Sequence, residues 1–193
     1  MAKSLLVAFL CVSLISCEPK EHKTHIELII KEDSIAYIQK CITFIRQIKK
    51  RNLSDTNFIL ADKPFSFKYS NCIESILSDT NFYTKDELIV IKNRKYSSLT
   101  KWTNEFFKNT RLVSSDTIEA ILETKSRGWE YFHNNIGYGF SRFSIPIFLR
   151  NDTYCLFYAD HNCVARCGEG GLTLYKKEKG EWIEVKHYCQ WVG

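Results

Sequence analysis

The sequence predicts an α+β fold in which a helical N-terminal half packs against a C-terminal antiparallel β-meander. Apolar residues recur at spacings of three and four over residues 33–50, which is the period of an amphipathic helix. After Phe143, short apolar runs alternate with turn residues such as Asn151-Asp152 and Lys179-Gly180, as in strands joined by tight turns. Because the helices come first and the strands last, the two kinds of element are expected to be segregated along the chain.

Five helices are expected in the N-terminal half. In chain order they cover residues 33–50, residues 71–77, a segment starting near Lys85, residues 99–106, and residues 116–132. Thr84 and Glu87 have the spacing of a capping box, which places the third start near Lys85. Gly128 is a weak point in the last helix, because glycine lowers helix stability. A short strand is expected at residues 58–60.

Four strands are expected in the C-terminal part, at residues 144–149, 153–159, 172–175 and 182–188. The glycine-rich residues 168–171 are interpreted as a tight turn between two of these strands. Residues 26–193 are enough to bury a hydrophobic core. We therefore expect a single domain, with its helical part at about 26–140 and its β part at about 141–193.

The N-terminus has the pattern of a bacterial lipoprotein signal. Lys3 precedes an apolar run at residues 5–14, which continues into Leu14-Ile15-Ser16-Cys17. A charged start, a short apolar core and a small residue before the cleavage site are typical of a secretory signal, and this run is shorter than the roughly 20 residues that span a bilayer. Lipoprotein signal peptidase cuts before an invariant cysteine whose thiol carries the lipid. We therefore expect a signal peptide at residues 1–16 and lipidation of Cys17.

Residues 17–25 are expected to be a lipidated tether, because they carry both signs of charge and show no apolar periodicity. Two or more acyl chains anchor a protein stably. The expected location is therefore the cell envelope, at the outer membrane rather than the inner one, with the domain in the periplasm or at the cell surface.

The charge and composition limit the classes of partner. The formal net charge is +5, and residues of both signs are interspersed. The one dense basic patch, formed by Arg46, Lys49, Lys50 and Arg51, is typical of the solvated end of a helix. Nucleic-acid binding is excluded, since an exported protein does not meet cellular nucleic acid. The expected partners are the membrane, through the lipid anchor, and an envelope protein or a glycan, and no cofactor is expected.

The cysteine content predicts disulfide bonds. Six cysteines remain once Cys11 leaves with the signal peptide and Cys17 carries lipid. An even number of cysteines in an oxidising compartment favours three bonds, although the sequence permits many connectivities. The favoured pairs are Cys41–Cys72, Cys163–Cys167 and Cys155–Cys189. The first pair lies in the helical half, the second lies in one loop, and the third joins strands of the same meander.

The usual local signatures of catalysis are missing from the chain: it has no Gly-x-Ser-x-Gly elbow, no His-Glu-x-x-His helix and no phosphate loop ending in Gly-Lys-Ser/Thr. The densest group of reactive side chains is Asp160, His161, Cys163, Cys167, His187 and Cys189. Without Asp160, this set is an alternative zinc site, and Cys163-x-x-x-Cys167 is an alternative redox pair. Structural disulfides are preferred to both, because an oxidising compartment favours sulfur–sulfur bonds, so no metal is expected.

Two classes of function remain. The preferred one is a non-enzymatic envelope lipoprotein that binds a partner or a ligand. The alternative is an envelope hydrolase or metal-dependent enzyme that uses the region of His161, Glu169 and His187, with His161 and Glu169 as the candidate catalytic groups. Convergence of these three residues and Asp160 in one pocket distinguishes the classes, since scattered positions would count against the enzyme.

The last third of the chain also resembles a known group of lipoproteins. The resemblance is carried by Ser144-Ile145-Pro146-Ile147-Phe148, Cys163-x-x-x-Cys167-Gly168-x-Gly170, Gly180-x-Trp182 and Trp191. These segments are similar to lipoproteins of the Bacteroidota phylum that have no assigned chemistry. The resemblance implies a lipid-anchored envelope protein, and it carries over no catalytic residue.

Overall fold

Helices occupy the earlier part of the described chain and long strands the later part. The computed structural model describes residues 35–66, 71–93, 99–124, 128–164 and 167–193. The helices are α1 (Ile35–Ile48), α2 (Lys50–Leu53), α3 (Cys72–Leu77), α4 (Lys85–Asn93), α5 (Ser115–Leu122) and α6 (Gly128–Asn135). The strands are β1 (Ile59–Ala61), β2 (Arg111–Val113), β3 (Gly139–Phe143), β4 (Ile147–Leu149), β5 (Tyr154–Cys163), β6 (Glu169–Glu178) and β7 (Glu181–Val192). The predicted signal peptide, Cys17 and the tether lie outside the described residues.

One mixed sheet of seven strands organises the fold. Its strand order is β2-β1-β3-β5-β6-β7, and β4 pairs with β5 beside this row. β1 runs parallel to both β2 and β3, whereas the pairs β3–β5, β5–β6 and β6–β7 are antiparallel. The protein is therefore α+β and ends in an antiparallel meander, as the sequence predicts.

The predicted division of the domain at about residue 141 is not kept, because the sheet includes strands from the helical half. The sequence predicts β1 but neither β2 nor β3, and β3 ends at Phe143, before the first strand predicted for the β part at residues 144–149. β2 is only three residues long, which is too short for a detectable alternation. Its pairing, with Leu112 opposite Leu60, joins segments that are far apart in the chain. A local pattern carries no signal for such a pairing.

The two faces of the sheet have separate hydrophobic cores. Along β5, Cys155 and Phe157 belong to the core that α1 covers, and we call this side the α1 face. Leu156 and Tyr158 belong to the core that contains α3, on the opposite side, which we call the α3 face. Side chains that alternate along a strand point to opposite faces, so α1 and α3 are separated by the sheet. A third cluster packs α5 and α6 against β1.

α1 is the amphipathic helix that the isoleucine spacing predicts, and it covers part of the α1 face. Its Phe44 ring makes edge-to-face contacts, a favoured geometry for aromatic pairs. The ring centroids lie 5.8, 5.5, 5.3 and 5.1 Å from those of Phe148, Phe157, Tyr175 and Trp182. The helix ends at Ile48, so it leaves the rest of this face for other groups.

The helix predicted at residues 99–106 does not form. The backbone N–H groups of Phe106 and Phe107 both donate to Thr103 O, which makes a single turn. Threonine and asparagine at 103 and 104 favour turns because their side chains compete for backbone hydrogen bonds. Trp102 and Phe107 are nevertheless buried against α1, so the apolar residues reach the core without helical structure.

The single helix predicted over residues 116–132 is two helices, α5 and α6, which pack against each other. A Cβ atom on Gly128 would lie 2.9 Å from Leu122 Cα, so glycine lets the two backbones approach closely.

The predicted capping box at the start of α4 is confirmed. Thr84 N donates to Glu87 Oε2 at 2.9 Å, and Glu87 N donates to Thr84 Oγ1 at 3.2 Å.

Candidate functional site

The part of the α1 face beyond α1 forms a hollow, which we call the sheet cleft. It has a volume of about 410 Å³ and lies between the end of α1 and strands β3, β5, β6 and β7. Its polar side chains include Lys49, Asn52, Ser141, His161, Glu169, Thr173, Glu184, His187 and Gln190. The rings of Phe143, Phe157 and Tyr175 line its base, where it adjoins the hydrophobic core.

Strand register brings the central side chains together. Ser141 lies opposite His161 between β3 and β5, and His161 lies opposite Glu169 between β5 and β6. Thr173 lies opposite His187 between β6 and β7. Residues directly opposite each other project from the same side of a sheet. His161, Glu169 and His187, which the sequence singles out, therefore all border one cleft.

A hydroxyl group from a neighbouring strand holds each of these histidines. His161 Nδ1 shares a hydrogen bond of 3.2 Å with Ser141 Oγ, and His187 Nδ1 shares one of 3.1 Å with Thr173 Oγ1. Glu184 Oε2 lies 3.5 Å from His187 Nε2. These contacts fix the orientation of both imidazole rings.

Lys49 brings an ammonium group into the cleft. It directly follows α1 and is half-buried, and burial lowers the pKa of its amine, while the nearby carboxylates of Glu184 and Glu169 act to raise it. Among the described residues, none accepts a hydrogen bond from Lys49 Nζ. The sequence places Lys49 in a solvated basic patch, and the structure corrects this interpretation, because the side chain borders the cleft.

Asp160 borders the same cleft, but its carboxylate is occupied by structural contacts. It accepts hydrogen bonds from Arg142 Nε at 3.0 Å, Tyr158 OH at 3.1 Å and Asn162 Nδ2 at 3.0 Å. Burial and the neighbouring Asp160 carboxylate raise the pKa of Tyr158 to about 12. The same phenol oxygen accepts a hydrogen bond of 3.1 Å from Trp191 Nε1. Asp160 therefore organises the sheet rather than the chemistry of the cleft.

The glycines at 168–171 are not the predicted tight turn, because β6 begins at Glu169 and includes Gly170 and Gly171. Gly170 lies opposite both Asp160 and Trp191. A Cβ atom on Gly170 would lie 2.8 Å from Trp191 Nε1. Glycine is needed here because the side chains of Trp191 and Asp160, on the two neighbouring strands, leave no room for a Cβ atom.

The disulfides confirm one predicted pair and contradict two. Cys163 is bonded to Cys167, with a Cα–Cα distance of 5.6 Å, as predicted. Cys72 is bonded to Cys189, with a Cα–Cα distance of 4.9 Å. The predicted pairs Cys41–Cys72 and Cys155–Cys189 are therefore wrong.

The topology of the sheet explains the pairing that is found. Cys41 lies in the core of the α1 face and Cys72 in that of the α3 face, so the sheet separates them. β6 lies between β5 and β7, so Cys155 is not a neighbour of Cys189. Cys189 sits at a register shift of β7 and has a φ of 46°. Such a bulge redirects side chains, and Cys189 packs toward α3.

The alternative metal site loses its sulfur ligands in this arrangement. The sulfurs of Cys163, Cys167 and Cys189 are all in disulfides. The remaining candidates, His161 and His187, lie on β5 and β7 with β6 between them. Within the described ranges, no three His, Cys, Asp or Glu side chains are grouped so that they can hold a metal ion.

A second hollow, which we call the disulfide groove, shares His161 with the sheet cleft. It has a volume of about 590 Å³. Its lining residues are Trp129, Glu130, His133, Tyr138, His161, Cys163, Val164 and Cys167. The groove places the Cys163–Cys167 bond beside aromatic and imidazole side chains.

Four members of the cleft are not predicted from the sequence: Lys49, Ser141, Thr173 and Glu184. For Thr173 a signal is present, since it alternates with the apolar Leu172 and Leu174 and therefore points to the other face. That signal does not say which residues lie opposite Thr173, because register depends on the neighbouring strands.

Comparison of the chain with models of known families, with curated proteins and with solved structures finds no match. In the parts of the chain that the structure describes, no helix has both the length and the apolar character needed to cross a bilayer.

Proposed function

We propose that the protein is a lipid-anchored protein of the bacterial cell envelope that binds a small saccharide in the sheet cleft. The observation that carries the ligand class is the convergence of hydroxyl, amide, imidazole and charged side chains on one hollow of about 410 Å³. Cavities of this size accommodate small molecules, which favours a sugar over a folded partner. The proposed activity is binding without turnover.

The neutral polar groups of the cleft match the chemistry of sugar hydroxyls. Thr173 offers a hydroxyl group that both donates and accepts, and the exposed Asn52 and Gln190 offer amides that do the same. A sugar hydroxyl also donates and accepts, so it can pair with any of them. A cleft of this composition differs from the apolar pockets that hold most drug-like ligands.

The charged groups of the cleft are mixed in sign. Lys49 contributes one positive charge, and Glu169 and Glu184 contribute negative ones. Hydrogen bonds that involve a charged group are stronger than neutral ones, so these three side chains are suited to fix the orientation of a polar ligand. Their opposing signs favour a neutral or zwitterionic sugar over a polyanion.

The anchor part of the proposal is supported by Leu14-Ile15-Ser16-Cys17 and the charged and apolar residues before it. Acylation of Cys17 would tether the domain to a membrane through the charged segment at residues 17–25. A tethered binding domain would meet the glycans of the envelope at high local concentration.

Cys17→Ala is expected to abolish acylation, leave the precursor uncut and remove the attachment to the membrane through acyl chains. The reason is that both the lipid transfer and the cleavage require that thiol. Metabolic labelling with a palmitate analogue and intact-mass analysis measure the result. Cys11→Ala, within the apolar run of the signal, is the matched control and should be processed normally. A wild-type protein with an unmodified N-terminus at another residue would contradict the prediction.

Lys49→Gln and Thr173→Val are each expected to weaken saccharide binding by about tenfold, since each removes a hydrogen-bonding group worth about 1.4 kcal/mol. The measurement is calorimetric titration of the full-length chain in detergent with neutral and amino-sugar oligosaccharides. Lys92→Gln, an exposed lysine on α4 outside the cleft, is the matched control. Equal affinities for all variants, or no binding of any sugar by the wild type, would reject the cleft as a saccharide site.

A second candidate is hydrolysis of the same ligand, and one contact favours it. His161 Nδ1 lies 3.2 Å from Ser141 Oγ, and Glu169 is the cross-strand neighbour of His161. An imidazole beside a hydroxyl can act as a general base for it. Product analysis separates the two candidates: a sugar that is cleaved by the wild type and bound intact by His161→Ala would establish the enzyme.

A further inference from the structure

The two disulfides of the described residues have different surroundings. Cys72 is buried in the core of the α3 face, and its bond to Cys189 joins residues 117 positions apart. Cys163 is half-buried and Cys167 is exposed, and their bond joins residues only four positions apart. An exposed sulfur can be reached by a thiol, whereas a buried one cannot. Cys189 is half-buried, as Cys163 is, so only Cys167 among these four cysteines is exposed, and the Cys163–Cys167 bond is the more accessible of the two.

The disulfide groove provides an apolar surface next to this accessible bond. Trp129, Tyr138 and Val164 line the groove together with the two cysteines. The side chain of Tyr138 is 80% exposed, which is unusual for a large aromatic residue. Because these side chains line the same groove as the two cysteines, a peptide that brings a thiol to Cys167 contacts them.

An imidazole group lies beside the buried half of the bond. A Cβ atom on Gly139 would lie 2.9 Å from both Cys163 Cβ and His161 Nε2, so these two atoms face the same point above β3. His161 and Cys163 are two residues apart on β5 and project from the same face. Ser141 holds the other ring nitrogen, which directs Nε2 toward the cysteine.

We propose that the Cys163–Cys167 disulfide is an exchange site that oxidises a cysteine pair in another exported protein. The partner's first thiolate attacks Cys167 Sγ, the Cys163–Cys167 bond breaks, and Cys163 leaves as a thiolate. The imidazolium form of His161 gives its Nε2 proton to that thiolate and becomes neutral imidazole. The partner's second thiolate then attacks its own sulfur in the mixed disulfide and releases Cys167 as a thiolate, which takes a proton from water. Two electrons pass from the partner's dithiol to the pair, and the partner gains one disulfide.

This activity rests on the envelope location of the proposed function but not on the saccharide, because no cleft ligand takes part in it. The groove contributes two things to the reaction. The apolar walls hold the partner segment, and His161 stabilises the leaving thiolate, which is the group whose basicity limits exchange. The apolar walls affect the exchange rate only when the attacking thiol belongs to a peptide. His161 affects the exchange rate with every thiol.

The first test compares the two disulfides of the full-length chain in graded buffers of reduced and oxidised glutathione. After alkylation and digestion, mass spectrometry measures the reduced fraction of each pair. Cys163–Cys167 is expected to be reduced at thiol concentrations about tenfold or more below those that reduce Cys72–Cys189. Reduction of both pairs together would overturn the proposal.

The second test asks whether His161 and the groove act in exchange. His161→Gln is expected to slow reduction by dithiothreitol about tenfold below neutral pH and to flatten the pH profile of the rate; a purely structural histidine would leave the profile unchanged. Tyr138→Ala is expected to slow exchange with a dithiol peptide but not with dithiothreitol. Tyr131→Ala, an exposed tyrosine on α6 outside the groove, is the matched control. An unchanged pH profile in His161→Gln would overturn the proposed mechanism.

Discussion

Replacing both Cys72 and Cys189 with alanine is expected to reduce the free energy of unfolding by about 5 kcal/mol in the chain-entropy treatment of disulfides. The bond joins residues 117 positions apart, so in the unfolded chain it closes a very long loop. Breaking it restores that conformational freedom to the unfolded state. It also releases α3 from β7 in the core of the α3 face, where both residues pack.

The other disulfide is the matched control for this prediction. Cys163→Ala with Cys167→Ala opens a loop that spans only four positions, for which the same treatment gives about 2 kcal/mol. Guanidinium denaturation of the oxidised proteins, followed by far-UV circular dichroism, measures both losses. Equal losses for the two double variants would show that loop closure does not govern the stability of this fold.

Asp160→Ala is expected to reduce the free energy of unfolding by about 3 kcal/mol, at the lower end of the range for breaking a buried ion pair. The Asp160 side chain is fully buried, but that of Arg142 is 34% exposed, so water partly compensates the guanidinium. The variant also leaves Tyr158 OH and Asn162 Nδ2 without the carboxylate that accepts their hydrogen bonds. A loss of this size lowers the melting temperature of a domain of this length by about 10 °C.

A surface ion pair of the same sheet provides the comparison. Glu178→Ala removes an exposed contact of 2.8 Å with Lys176, and exposed pairs contribute about 0–1 kcal/mol. Asp160→Asn should fall between the two, because it keeps the shape and one acceptor but loses the charge. Differential scanning calorimetry gives all three values. A loss below about 1 kcal/mol for Asp160→Ala would mean that the Asp160 network contributes no more than a surface ion pair.

The elements that the sequence predicts well are those whose signal is local. The isoleucines of α1 recur with the helical period, and the apolar face that they define packs on the sheet from Ile38 to Ile48, whereas Ile35 is exposed. Thr84 and Glu87 signal the start of α4 within four consecutive residues. The three long strands β5, β6 and β7 have 10 to 12 residues each, which is enough to show alternation, and a two-residue turn at Lys179-Gly180 joins the last two.

The elements that it misses depend on partners far along the chain. β2 forms because Leu112 pairs with Leu60 of β1. The glycines at the start of β6 are strand residues because they pair with the two neighbouring strands, where Asp160 and Trp191 lie opposite Gly170. Neither segment carries a periodic pattern of its own. Residues 99–106 carry a misleading pattern, since Leu99 and Trp102 are buried without forming a helix.

Both the cysteine pairing and the composition of the cleft depend on the order and register of the strands, which cannot be predicted from the local sequence. Cys155 and Cys189 both lie in the meander, yet β6 separates their strands. The same arrangement places His161 opposite Ser141 and Glu169. The sequence therefore indicates which side chains are reactive, whereas the sheet decides which of them meet.

His161 borders both the sheet cleft and the disulfide groove, which makes the two hollows candidates for thermodynamic linkage. A ligand that contacts this imidazole in the cleft changes its position or charge next to Cys163, and so changes the midpoint potential of the disulfide. Linkage is reciprocal: if saturation with the ligand shifts the exchange equilibrium by a given factor, reduction of the disulfide must shift the ligand's affinity by that same factor. A redox titration with and without the proposed saccharide would therefore also measure how strongly the redox state of this disulfide changes the affinity of the sheet cleft for that ligand.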